Sequence, residues 1–284
     1  VSYLWLNNNG KLNTCDNGYV RLSDCPGFDC RPVCYVDKKA TGTGDGSSWA
    51  NAYTDIQTAI NANPCKEIQI KGYGENDCYP GEIELKECTF LKGVDDMWID
   101  SSENYVGIDG KGLASTLIDS VNIKNSPSCF HSCNEIRNCK IKNFVDGFIA
   151  CNSLSGCIGE SPDTTAYGSP IFSRYTKNIE NCSCIGYCAI TFGDYEICTN
   201  CYAEGSGIGF VPFPLSIAIG CTVVDTEYAG FQGLGGGGET FIDCIARDNK
   251  GCGFIGNSTF INCEDINNCL ESTYSCRNNL CAEV

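Results

Sequence analysis

A cysteine that returns about once every twenty residues predicts an all-β chain wound as a parallel β-helix, with a short N-terminal capping helix and a cysteine-rich N-terminal extension. The cysteine stands in IRNCKI, IENCSC, ICTNCYA, IGCTVV, FIDCIA and FINCED, at Cys139, Cys182, Cys201, Cys221, Cys244 and Cys263, and the last three intervals are 20, 23 and 19 residues. Cys157 divides the first gap, and Ser120 stands 19 residues before Cys139. Such a period fits one coil, whose apolar faces are buried only when neighbouring coils stack on it. A second apolar position follows nine or ten residues later, at Phe148, Phe210, Phe231 and Phe254, each preceded by a glycine. The Gly-Phe pair predicts an adaptable turn leading into a new buried strand, with the rings filling the interior.

Residues 1–35 carry Cys15, Cys25, Cys30 and Cys34 among asparagine, glycine and proline, which predicts a cysteine-rich cap or appendage without a large core of its own. Residues 36–284 are assigned to the β-helix and its terminal cap. Tyr35-Val36-Asp37 begins extended and runs into the glycine-rich Thr41–Gly46 turn. Thr54 and Gln57 have capping-box spacing, Ile56, Ala59 and Ile60 share one helix face, and Pro64 stops the helix, so a helix is expected near residues 54–62. Glu67–Ile70 and Tyr105–Gly110 read as short strands. With the repeating cysteine inward, Ile141, Val223 and Ala246 also face inward, and Lys140, Thr222 and Ile245 face out.

The order of strand, glycine-rich loop and short helix, continuing through Ala52, Tyr53, Ile56, Gln57 and Ile60 into the coils, resembles right-handed parallel β-helix proteins of the pectate-lyase-like superfamily over about residues 35–275. The resemblance implies a right-handed helix. The superfamily holds polysaccharide lyases and hydrolases, tailspikes, adhesins and surface proteins, so the activity must be read from the site.

Thirty-five acidic against 19 basic residues give a net charge of −16, which argues against nucleic-acid or anionic-membrane partners. No 18-residue apolar run predicts direct membrane insertion. Twenty-four cysteines, an even and high number, favour a secreted, disulfide-rich chain, although stacked thiols in the core also fit the ladder and Cys198-x-x-Cys201 has thiolate-zinc spacing. Cys188, Cys252 and Cys269 are candidates for fastening loops, and Cys276 and Cys281 for closing the last turn. Asn181 and Asn257 stand in glycan-acceptor sequences.

No nucleophile elbow, phosphate loop, dinucleotide fingerprint or metalloprotease motif is present, and Gly235–Gly238 lacks the lysine of a phosphate cradle. Asp95, Asp96 and Asp109 read as turn or surface acids, and His131, the sole histidine, as part of a constrained loop. The best chemical row follows the ladder: Glu204 three residues beyond Cys201, then Asp225 and Asp248 four beyond Cys221 and Cys244, with Arg247 adjacent. In register, Asp225 and Asp248 are one strand spacing apart. They are the alternative catalytic pair with Arg247, and with Glu204 the candidate calcium ligands. Tyr187, Tyr195, Tyr202 and Tyr228 are a candidate aromatic strip for sugars or proteins. Because cysteine and apolar residues repeat more strongly than any acid-base set, the leading expectation is a noncatalytic extracellular structural or adhesive scaffold. It would self-associate through its sides or ends, as a filament or surface layer. The alternative is a lyase or hydrolase of an acidic polysaccharide.

Overall fold

In the computed structural model, residues 33–63, 67–102, 106–161, 171–233, 238–256 and 258–268 are described, together with the backbone of Leu4–Leu6 and Leu12–Thr14, which pair antiparallel. Cys15, Cys25, Cys30, Asn257, Cys269, Cys276, Cys281 and most of the Gly235–Gly238 loop lie outside these residues. The rest is a parallel stack of coils with three faces. The first runs from strand Val33–Val36 to Thr259–Ile261, the second from Tyr79–Pro80 to Glu264–Ile266, and the third from Ile83–Glu84 to Cys252–Ile255. Every strand in the stack pairs parallel with its equivalents on adjacent coils. The first strand starts at Val33, so Cys34 is already in the core.

Corners are made by residues in the left-handed region. Between the first and second faces they are Ser120, Asn138, Gly156, Asn181, Asn200, Gly220, Asp243 and Asn262, residue types that reach this conformation most readily. The next residue turns inward: Val121, then Cys139, Cys157, Cys182, Cys201, Cys221, Cys244 and Cys263. Cysteine suits this position because it packs as a small apolar group and its thiol donates to the carbonyl two residues back. Those contacts are 3.1 Å for Cys139, 3.3 Å for Cys182 and 3.2 Å for Cys201. The sulfurs of Cys182 and Cys201 also accept the backbone N–H of Cys157 and Cys182, both at 3.4 Å. Of the two states left open for the ladder, the structure holds stacked thiols, while Cys252 is disulfide-bonded. Cys133 and Cys151 repeat the same thiol-to-carbonyl geometry after Ser132 and Ala150, a second short ladder the sequence period did not reveal.

Three inward columns fill the cross-section. The third-face column is Ile108, Phe130, Phe148, Ser173, Phe192, Phe210, Phe231 and Phe254. Its rings stack at 5.0 Å for Phe130–Phe148, 4.7 Å for Phe192–Phe210 and 4.9 Å for both Phe210–Phe231 and Phe231–Phe254. At Ser173 the ring comes instead from Phe172, one residue earlier. It meets Phe148 and Phe192 edge-on, and a Cβ on Gly159 would come within 2.4 Å of it. The columns compensate one another in volume. Where the first-face column is small at Cys198 and Ala218, buried Tyr195 fills the space; where it is large at Phe241, the second-face column falls to Ala246.

The Gly-Phe pairs are not turns. Gly147, Gly209, Gly230 and Gly253 lie within strands, and none has a positive φ. Their reason is space: a Cβ on Gly209 would lie 2.3 Å from Val223, and one on Gly230 would lie 2.6 Å from the Gly253 carbonyl. The capping helix is Ile56–Ala62, buried through Ile56, Ala59 and Ile60. Its cap is Asp55, whose carboxylate accepts the Thr58 N–H at 2.7 Å, rather than Thr54. Gln57 instead bridges to the Glu84 backbone, donating at 3.1 Å and accepting at 2.8 Å.

Truncating Phe210 to Ala should cost about 3–5 kcal/mol in urea denaturation, since a ring stacked on both sides leaves a void that the coils cannot close. Gly230→Ala should also destabilise, by about 1–3 kcal/mol, although it adds one methyl group.

Candidate active site on the third face

Asp225 and Asp248 do stand on adjacent coils in one row, but as left-handed corner residues between the second and third faces. Asn125, Asn143 and Asn267 are further left-handed corner residues of that bend. Their side chains link coil to coil: Asn143 donates to Asn125 at 3.0 Å, and Asn267 to Asp248 at 3.1 Å. Arg247 pairs with Asp248 at 3.4 Å on the surface. Glu204 falls outside the row, in register with Val224 and Arg247, and accepts the Tyr202 hydroxyl at 2.6 Å. Among the described residues, no three His, Cys, Asp or Glu side chains converge as a metal site, and Glu204, Asp225 and Asp248 do not form one. The tyrosine strip does not form either, because Tyr195 is fully buried while Tyr228 is exposed. Asn181 is an exposed corner residue.

Lys124 and Lys142 on the second face are already satisfied. Lys124 donates to the Glu75 carbonyl at 2.7 Å, and Lys142 pairs with Glu75 at 3.2 Å and Glu160 at 3.7 Å. The third face is different. Its outward column places Asp109, His131, Ile149 and Arg174 in register on four successive coils. Parallel stacking at about 4.8 Å per coil therefore puts the His131 and Arg174 backbones roughly 10 Å apart. His131 is the last residue of strand Asn122–His131 rather than part of a loop, and its Nδ1 lies 3.5 Å from Asp109. Partial burial works to raise the Asp109 pKa, but the Lys111 backbone N–H and ammonium outweigh it, and the carboxyl lies below its ordinary value. Lys111 in turn bridges Asp109 at 2.9 Å and Glu84 at 3.0 Å. This leaves an imidazole oriented by a carboxylate, with Nε2 making no hydrogen bond among the described residues.

Arg174 lies 3.9 Å from Asp194 on the following coil, and Asp146 stands on the preceding coil opposite Ile171, three residues from the Ile149 position that pairs with Arg174. Burial pushes both carboxyls above the ordinary aspartate value, and the Arg174 charge offsets only part of that. The Arg174 guanidinium also lies 4.7 Å from the Tyr175 ring centre and donates to its hydroxyl at 2.8 Å. The patch thus offers an oriented imidazole, a fixed cation and carboxyls inclined to hold a proton, which together can perform acid-base chemistry on an anionic substrate. The sequence reading missed Asp146, Arg174 and Asp194. The interval from Cys157 to Cys182 is irregular, and the Phe172–Ser173 offset hides the register that would align Arg174 with His131.

This architecture is a parallel β-helix whose fold resembles the right-handed, pectate-lyase-like one. A solved structure titled rhamnogalacturonan lyase superposes with a TM-score of 0.53 at 10% identity, over 75% of this chain and 74% of that one. No protein-family model and no curated protein sequence matches the chain.

Asp146 provides a check on the electrostatics. Its folded-state pKa lies above the unfolded value, so the native state holds the proton more tightly and the carboxylate weakens stability as pH rises through that range. Asp146→Asn should therefore stabilise the protein at pH 7 in urea titrations, with the gain disappearing below the ordinary aspartate pKa.

Proposed function

We propose that the chain is an extracellular carbohydrate-active protein that cleaves an acidic polysaccharide on its third face by β-elimination. The observation that carries this reading is Arg174, 3.9 Å from Asp194, standing in one outward column with the His131–Asp109 pair two coils away. Arg174 would pair with a uronate carboxylate and stabilise the charge that builds on it when the neighbouring carbon loses its proton. His131 Nε2 is the base that takes this proton, and Asp109 steadies the imidazolium that results. The carbon–oxygen bond to the next sugar then breaks, and Asp146, held protonated more readily than an ordinary aspartate, supplies the proton to the departing oxygen. The products are one new reducing end and one unsaturated sugar. The β-helix fold shared with a structure titled rhamnogalacturonan lyase supports a polysaccharide as substrate by analogy of fold.

A scaffold reading has one observation of its own. Ile197, Ile217, Ile219 and Ile261 point outward from the first face and are exposed. If this face joins copies, sedimentation should show assembly that Ile217→Lys and Ile219→Lys disrupt.

The activity is tested by incubating the protein with a panel of uronic-acid polysaccharides and following ultraviolet absorbance of the unsaturated product and new reducing ends together. Arg174→Ala and His131→Ala should each lower kcat/KM by about 100-fold or more, while Asp225→Asn and Asp248→Asn leave it unchanged. New reducing ends without unsaturation would replace elimination with hydrolysis, and no turnover with either signal would reject cleavage.

A further inference from the structure

Resting on the third face as a glycan site, we infer that Tyr175 and Phe213 form a sugar-stacking platform beside Arg174, and that this platform positions the neighbouring sugar of the polymer. The two rings stack at 6.0 Å with 28° between planes, yet remain 45% and 39% exposed. Together they present a paired aromatic face to solvent on a chain of −16 charge. The backbone supplies a second, independent observation. Tyr175 has φ +56 at the same corner where Ser132, Ala150 and Asp194 stand, and a bulky aromatic residue is unfavourable in that conformation. Asparagine or glycine would relieve the strain, and the other two corners use them repeatedly. A strained residue that also exposes its ring points to a role outside folding.

The groove beside the platform identifies the occupant. It holds about 510 Å³ and is lined by Tyr175, by the polar Ser132, Asn134, Asn152 and Lys177, and by small and apolar residues such as Leu113. That volume falls within the usual range for small-molecule sites. An aromatic face bordered by hydroxyl, amide and ammonium groups matches a sugar ring, which presents C–H bonds on its face and hydroxyls on its rim. Through its ring and hydroxyl, Tyr175 touches Arg174 directly, so a sugar on the platform is adjacent to the one whose carboxylate meets the guanidinium.

The test is affinity electrophoresis and titration with polygalacturonate and with rhamnogalacturonan, at low and moderate salt. Wild type should bind at least one of them. Tyr175→Asn should be more stable than wild type, because it relieves the left-handed strain, yet bind at least tenfold more weakly. Phe213→Ala should weaken binding in the same direction, and Tyr175→Phe should keep most of the affinity. If Tyr175→Asn binds as tightly as wild type, the platform is overturned while the glycan site stands. Failure of wild type to bind either polymer removes the glycan reading and the platform with it. Sedimentation of wild type as a dimer that Tyr175→Asn dissociates would also overturn the proposal, by assigning the rings to an interface between copies.

Discussion

Each coil must stack on the next at one strand spacing, and this single repeat distance governs everything else in the molecule. It makes the neighbour of every residue its own equivalent one coil away, so side chains are selected as columns. A phenylalanine in one coil favours a phenylalanine above it, because flat rings at about 5 Å pack without gaps. A corner cysteine favours another because each sulfur can meet the next backbone N–H. The same rule sets the glycines, since strand backbones passing this closely leave no room for a Cβ at Gly209 or Gly230.

The cross-section closes only if the three inward columns sum to a constant volume. The structure keeps that sum by trading between faces, as when Gly159 yields space to Phe172 or Tyr195 covers the small side chains at Cys198 and Ala218. One consequence reaches the third face. The coil carrying Phe172 shifts its ring by one residue, and in the same coil Arg174 comes to the outward column and Tyr175 to a strained corner. The least regular coil of the stack thus carries both the cation and the exposed ring.

Burial and charge act together on that face. A partly desolvated carboxyl prefers its proton, a guanidinium opposes the preference, and the balance leaves Asp146 and Asp194 raised. The same groups on the flat second face are neutralised by local pairs such as Lys142 with Glu75, which leaves little unspent charge for a ligand.

The cysteine period and the recurring phenylalanines by themselves determined the coil and its inward columns, because those residues answer to spacing and volume that repeat along the chain, and the apolar face of Ile56, Ala59 and Ile60 determined the capping helix. Periodicity also placed Asp225 and Asp248 correctly as neighbours. Their role as left-handed corners depends on backbone conformation, which spacing alone does not encode. The third-face site was decided by tertiary structure. His131, Asp146, Arg174 and Asp194 are separated by unequal stretches of sequence, and only the register of strands across the irregular coil brings them onto one face. Cysteine count led to an expectation of covalent cross-linking, whereas the described ladder holds thiols, because each corner directs its sulfur to a backbone carbonyl.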